Sequence, residues 1–140
     1  MNLCGKGNMK EFYIEKKIYY HDTDCGGVVY YANYLKYLEE GRSEFCLSKG
    51  IDLKGLVSAG IYFVVARVEI DYKAPARYQD NLKVYTRIEK VGGSSIHFWQ
   101  EVKKDNITII EAKTIWVCVD REFKVRPIPQ EIKQSFLTAN

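Results

Sequence analysis

The 140-residue sequence predicts an α+β fold, one long central helix wrapped by a curved antiparallel sheet of about five strands. Three observations predict it. Apolar residues alternate with polar ones from Phe12, then recur at three- and four-residue steps from Tyr31. Between Tyr62 and Val119 the period returns to two, broken by turn signals.

Each element follows from its residues. Phe12, Ile14, Ile18 and Tyr20 mark a strand, closed by the turn-rich HDTDCGG. Tyr31, Tyr34, Leu38, Gly41 and Phe45 form the apolar stripe of a helix, with Lys36, Glu40 and Glu44 on its opposite side. A glycine within that stripe costs roughly 1 kcal/mol against alanine, which predicts a close approach by the sheet. Lys49-Gly50 supplies a basic last turn and a glycine stop. Tyr62, Val64, Ala66, Val68, Ile70 and Tyr72 predict one unbroken apolar face of the next strand, before Pro75 breaks the pattern. Leu82, Val84, Thr86 and Ile88 define another, and Gly92-Gly93 a hairpin. Ile96, Phe98 and Val102 mark the return strand, ended by Lys104-Asp105-Asn106. Ile107–Val119 is apolar on parts of both faces, as in a central strand. Pro127 and Pro129 precede a short tail helix over about Gln130–Phe136.

A lone striped helix and a long sheet of strands joined by tight turns satisfy each other if the sheet wraps the helix, the hotdog arrangement. One copy leaves the outer sheet face and the edge strand partly apolar, so copies are expected to pair. Residues 1–9 read as a mobile lead-in and 10–140 as a single domain.

Composition narrows the functional classes. Hydrophobic residues make up 46%, which excludes whole-chain disorder. The 21 basic and 18 acidic side chains are interspersed, so nothing marks a nucleic-acid-binding arm. No uncharged run approaches the roughly 20 residues of a membrane-spanning helix, so no membrane insertion is expected. Met1–Lys10 has no apolar stretch of the kind a secretory signal needs, which predicts a cytoplasmic protein. Cys4, Cys25, Cys46 and Cys118 are widely spaced, and the only histidines are His21 and His97. They are expected as free thiols, mostly in the core, with no metal and no cofactor.

The candidate chemistry lies in HDTDCGGVVYYANY, residues 21–34. It sets a carboxylate on a loop just before a helix N-terminus, where unpaired N–H groups stabilise a developing oxyanion. Such a carboxylate can act as a general base for water or as a nucleophile. The glycine pair lets backbone approach a ligand. On spacing alone, ordinary turn and cap chemistry explains the same residues.

The run YHDTDCGGVVYYANYLKYLEEGRSEF resembles the signature of the 4-hydroxybenzoyl-CoA thioesterase-like family. It is most like that family's Tol–Pal-associated branch of acyl-CoA thioesterases, the YbgC type. DYKAPARYQD resembles the family's strand-plus-Pro-Ala-Arg turn. The resemblance implies a cofactor-free hotdog enzyme that hydrolyses an acyl-CoA to free acid and thiol. It puts the catalytic carboxylate at Asp24 and the carbonyl-polarising backbone N–H at Tyr31. Many members carry histidine where this chain has Tyr31, so any side-chain role of that histidine is absent. Gly27 and Val28 are expected against the substrate, and Lys73 and Arg77 near coenzyme A phosphates, with Arg121, Lys124 and Arg126 as further cations. Implied partners are the acyl-CoA, an acyl carrier protein, and further copies in a homodimer or homotetramer.

Other residues receive other readings. Asp22 reads as a turn-former or helper, His21 as a surface strand end, and His97 as structural. Cys25 lacks an assigned histidine partner for nucleophilic work, and Glu40 and Glu44 stand as alternates to Asp24. Two competing functions remain: a non-catalytic module binding acyl-CoA or acyl carrier protein, and a hydroxyacyl-thioester dehydratase, for which neither histidine matches a motif.

Overall fold

A computed structural model describes residues 11–138; the expected lead-in, 1–9, lies outside them. Five strands form one antiparallel sheet: β1 (Phe12–Lys17), β2 (Tyr62–Tyr72), β3 (Asn81–Val91), β4 (Ser95–Lys104) and β5 (Ile107–Val119). Three helices accompany it, α1 (Asn33–Ser48), α2 (Leu53–Ser58) and α3 (Gln130–Leu137). The strand order is β1-β3-β4-β5-β2, so β2 pairs with β5 and not with β3. This corrects the expectation of tight turns throughout. Residues 73–80 instead carry the chain across the sheet end from the β2 edge to β3, and that crossing segment reaches the candidate site.

Helix α1 lies in the concave face because its stripe is apolar and its centre is narrow. Tyr34, Tyr37, Leu38 and Phe45 are buried, Leu38 completely. A Cβ on Gly41 would meet Val84 Cγ1 at 2.9 Å and both Gln100 Nε2 and Thr86 Oγ1 at 3.0 Å, the close approach that the glycine predicted. The polar groups beneath it bond to one another, although the buried Arg42 Nε has no partner among the described residues. Gln100 Nε2 donates to the Leu38 carbonyl and to Thr86 Oγ1, each at 2.9 Å, and Arg42 Nη1 donates to Gln100 Oε1 at 3.0 Å. The core divides along the helix. Ile18, Val29, Leu38, Ala76 and Leu82 gather at its N-terminal end; Phe45, Phe98, Trp116 and Phe136 gather at the other.

Three local features depart from the sequence reading. Strand β1 stops at Lys17, and Tyr20–Asp22 forms a 3-10 turn, because the Asp22 carboxylate accepts the Tyr19 N–H at 2.8 Å and folds the chain back. A bulge between Val65 and Arg67 breaks the period of β2. Residues paired across a sheet share a face, so Val68, Ile70 and Tyr72 lie with Thr114, Ala112 and Ile110, facing α1 together with Phe63 and Val65. The unbroken face from Tyr62 to Tyr72 is thereby split. Helix α2 has only six residues, capped by Asp52 Oδ1 accepting the Gly55 N–H at 3.1 Å. No helix among the described residues is long and apolar enough to cross a membrane.

Candidate active site at the N-terminal end of the central helix

Between β1 and α1 the chain ties a compact knot. The Asp24 N–H donates to the Val28 carbonyl at 2.9 Å, and the Gly27 N–H returns to the Asp24 carbonyl at 3.1 Å. Gly27 has φ +81°, a conformation that favours glycine, so the turn requires it. The Asp24 side chain is exposed, and its Oδ1 accepts the Gly26 N–H at 2.8 Å. That bond ties one carboxylate oxygen to the loop, and the second accepts no hydrogen bond among the described residues. Cys25, in the same turn, is an exposed free thiol.

The crossing segment locks this loop from below. The Val29 N–H donates to the Ala76 carbonyl at 2.8 Å, and Val28 bridges Arg77. Gly27 and Val28 therefore bond directly to the Asp24 backbone, and Arg77 joins them through its bridge to Val28, with the Arg77 side chain exposed. Lys73 lies at the start of the crossing and pairs with Glu111 on β5 at 3.6 Å. Arg121 bonds the Ser58 carbonyl at the end of α2, so the cations of residues 121–126 belong to another part of the molecule.

Tyr31 precedes the helix by two residues. Its neighbours are spoken for: the Tyr30 N–H donates to the Asp22 carbonyl at 3.0 Å and the Asn33 N–H to the Tyr30 carbonyl at 2.9 Å. The hydrogen bonds of this segment leave the Tyr31 N–H with no acceptor among the described residues. An unpaired N–H at a helix start is the donor an oxyanion needs. The Tyr31 ring is exposed and meets Tyr30 at 5.0 Å and Tyr72 at 6.2 Å between centroids. The Tyr72 hydroxyl donates to the Tyr31 carbonyl at 3.3 Å, joining edge strand β2 to the site.

The remaining sequence candidates sit apart. His21 has an exposed ring 3.8 Å from Asp22 Oδ2. His97 is half-buried on β4, 3.3 Å from Ser95 Oγ. Glu40 faces Lys16 at 3.7 Å, and Glu44 is exposed. Among the described residues no cluster of three or more His, Cys, Asp or Glu is placed to hold a metal. Two grooves among the described residues, about 340 and 350 Å³, are lined by residues outside this loop. Sequence reasoning missed Tyr72 and Ala76, whose roles arise from long-range pairing, and the Asn33 side chain, whose Nδ2 donates to the Asp22 carbonyl at 2.9 Å. An asparagine at the helix start was the one signal available.

One long helix packed in a curved five-stranded sheet, with an exposed carboxylate and an acceptor-free N–H just before it, defines a hotdog protein. Residues 19–136 match the model of the thioesterase-like superfamily. An acyl-CoA thioester hydrolase, YbgC, of Escherichia coli is 37% identical over 86% of this chain and 91% of its own. An acyl-CoA thioesterase of Haemophilus influenzae is 35% identical over 86% and 90%. Among solved structures, a 1,4-dihydroxy-2-naphthoyl-CoA thioesterase from Synechocystis superposes with a TM-score of 0.84 at 26% identity, covering 91% of this chain and 96% of its own. The chain belongs to the thioesterase-like superfamily, and by class it is a thioesterase.

Proposed function

We propose that the protein hydrolyses acyl-CoA thioesters to free acid and coenzyme A thiol, with Asp24 and the Tyr31 N–H as its working parts. The observation that carries this is their joint placement. An open carboxylate oxygen and an acceptor-free N–H stand at the two ends of one hydrogen-bonded knot, on the helix start. The thioester carbonyl oxygen takes the Tyr31 N–H, which becomes a stronger bond as that oxygen gains charge. Asp24 then accepts a proton from water attacking the carbonyl carbon. The tetrahedral intermediate collapses by breaking the C–S bond, and the thiolate leaves and gains a proton. In the nucleophilic variant Asp24 attacks the carbonyl carbon directly, the C–S bond breaks and the thiolate leaves and gains a proton, and water then cleaves the resulting anhydride to free acid and the Asp24 carboxylate. The relatives named as acting on acyl-CoA support this substrate class, and Arg77 beside Val28 supplies a cation for its phosphates.

The working form is a homodimer or a dimer of dimers, acting in the cytoplasm. In one chain Asp24 and Tyr31 are open to solvent, and the α1-facing residues Val65 and Tyr72 of edge strand β2 are about half exposed. A second copy laid along that edge covers this apolar face and shields Asp24 and the Tyr31 N–H from water.

Thiol release measured colorimetrically on short, long and aromatic acyl-CoAs, and on an acylated carrier protein, tests the reading. Turnover on at least one acyl-CoA is expected. Tight binding of acyl-CoA without thiol release would overturn it in favour of a binding module.

A further inference from the structure

We infer that Asp22 is a positioning residue that sets the Asp24 carboxylate against the Tyr31 N–H, an inference that rests on the reading above and adds a second aspartate to it. Asp22 is only 6% exposed, although aspartate is rarely buried without a reason. Its two polar groups hold different pieces of the site. The carboxylate accepts the Tyr19 N–H at 2.8 Å and fixes the 3-10 turn leading into Asp24. The carbonyl accepts both the Tyr30 N–H at 3.0 Å and Asn33 Nδ2 at 2.9 Å, so it fixes the residue before Tyr31 and the first residue of α1. One residue thus joins the strand end, the loop and the helix start.

The surroundings suit a permanent anion. Lys16 points inward from β1, its Nζ 5.2 Å from the Tyr37 ring centre and 3.7 Å from Glu40. The Tyr37 hydroxyl is fully buried, with no partner in good hydrogen-bond geometry among the described residues, and its phenol is pushed up by burial and then by Asp22. Burial alone would raise the Asp22 carboxyl. The Tyr19 N–H, the Tyr37 hydroxyl and the charges of His21 and Lys16 outweigh it and hold the group below the usual carboxylate range. A multiply bonded anchor holds a loop more stiffly than a turn alone, and a misplacement of about 1 Å in such a site lowers turnover about 100-fold.

The test compares Asp22→Ala, Asp22→Asn and Asn33→Ala with the wild type in thiol release, alongside binding of a non-hydrolysable acyl-CoA thioether. Asp22→Ala and Asn33→Ala are expected to lower kcat about 10- to 100-fold with KM and thioether affinity within about 2-fold. Asp22→Asn keeps an acceptor for the Tyr19 N–H and should recover most of the Asp22→Ala loss. If Asp22→Ala fails to fold, Asn33→Ala and Asp22→Asn carry the test. Unchanged kcat in the folded variants, or equal losses of kcat and thioether binding, would overturn the positioning role. A wild type without turnover would instead sink the hydrolase reading itself.

Discussion

Asp22 and Asp24 are two residues apart and occupy opposite surroundings. Asp22 is buried among hydrogen bonds and cations, whereas Asp24 is exposed with one oxygen open. The difference has a pH consequence. Folding holds Asp22 below the roughly 3.9 of a free aspartate, so its stabilisation is complete above that value and lost as pH falls through the folded one. Asp22→Asn should therefore lose less stability than the wild type between about pH 5 and pH 2 in urea unfolding at stepped pH. Parallel curves would contradict it. Asp80, held low by Lys104 and by the Arg77 N–H against its own burial, keeps part of the acid sensitivity in both proteins. Cysteine environments differ as sharply. Cys25 is exposed, while Cys46 is buried with its thiol pushed up to about 12 by that burial, and Cys118 is buried and raised likewise. A thiol reagent should label Cys25 in the native protein and reach Cys46 and Cys118 only on unfolding, as peptide mapping would show.

Among the elements, α1 is the one whose sequence most directly states its place. Gly41 against Val84, Thr86 and Gln100 leaves no room for a methyl group. Gly41→Ala gains helix propensity yet should destabilise the fold by about 1–3 kcal/mol, because the added carbon overpacks a full interface. Equal or higher stability in denaturant unfolding would refute the close approach. The helix and its glycine were legible because a period of three to four is a local signal. The face of β2 was not, since the bulge at Val65/Arg67 is imposed by pairing with β5 and shifts the α1-facing set to Phe63, Val65, Val68, Ile70 and Tyr72. Nor was the order of strands, because pairing of β2 with β5 across residues 73–80 is decided by the whole sheet. The site divides in the same way. Asp24, Gly27, Val28 and Tyr31 stand in one contiguous motif and could be read, whereas Tyr37, Tyr72 and Ala76 enter only when distant segments meet.

For the whole molecule, the open question is what covers the exposed end of the helix and the free edge of β2. If a second copy does, light scattering should give twice or four times the 16.3 kDa chain mass. Val65→Asp, half-exposed on the α1-facing side of β2, should shift the protein toward the monomer and lower thiol release at least about 10-fold through loss of that cover. A monomeric wild type with full activity would contradict this assembly. One loop carries both the exposed Asp24 carboxylate and the acceptor-free Tyr31 N–H, so the proposed chemistry stands or falls on Asp24. The most direct measurement is thiol release at saturating acyl-CoA by Asp24→Asn and Tyr31→Ala beside the wild type, each checked for native melting. Asp24→Asn should lose at least about 100-fold in kcat, while Tyr31→Ala, which keeps its N–H, should stay within about 10-fold. Asp24→Asn turning over at the wild-type rate would contradict the proposed chemistry.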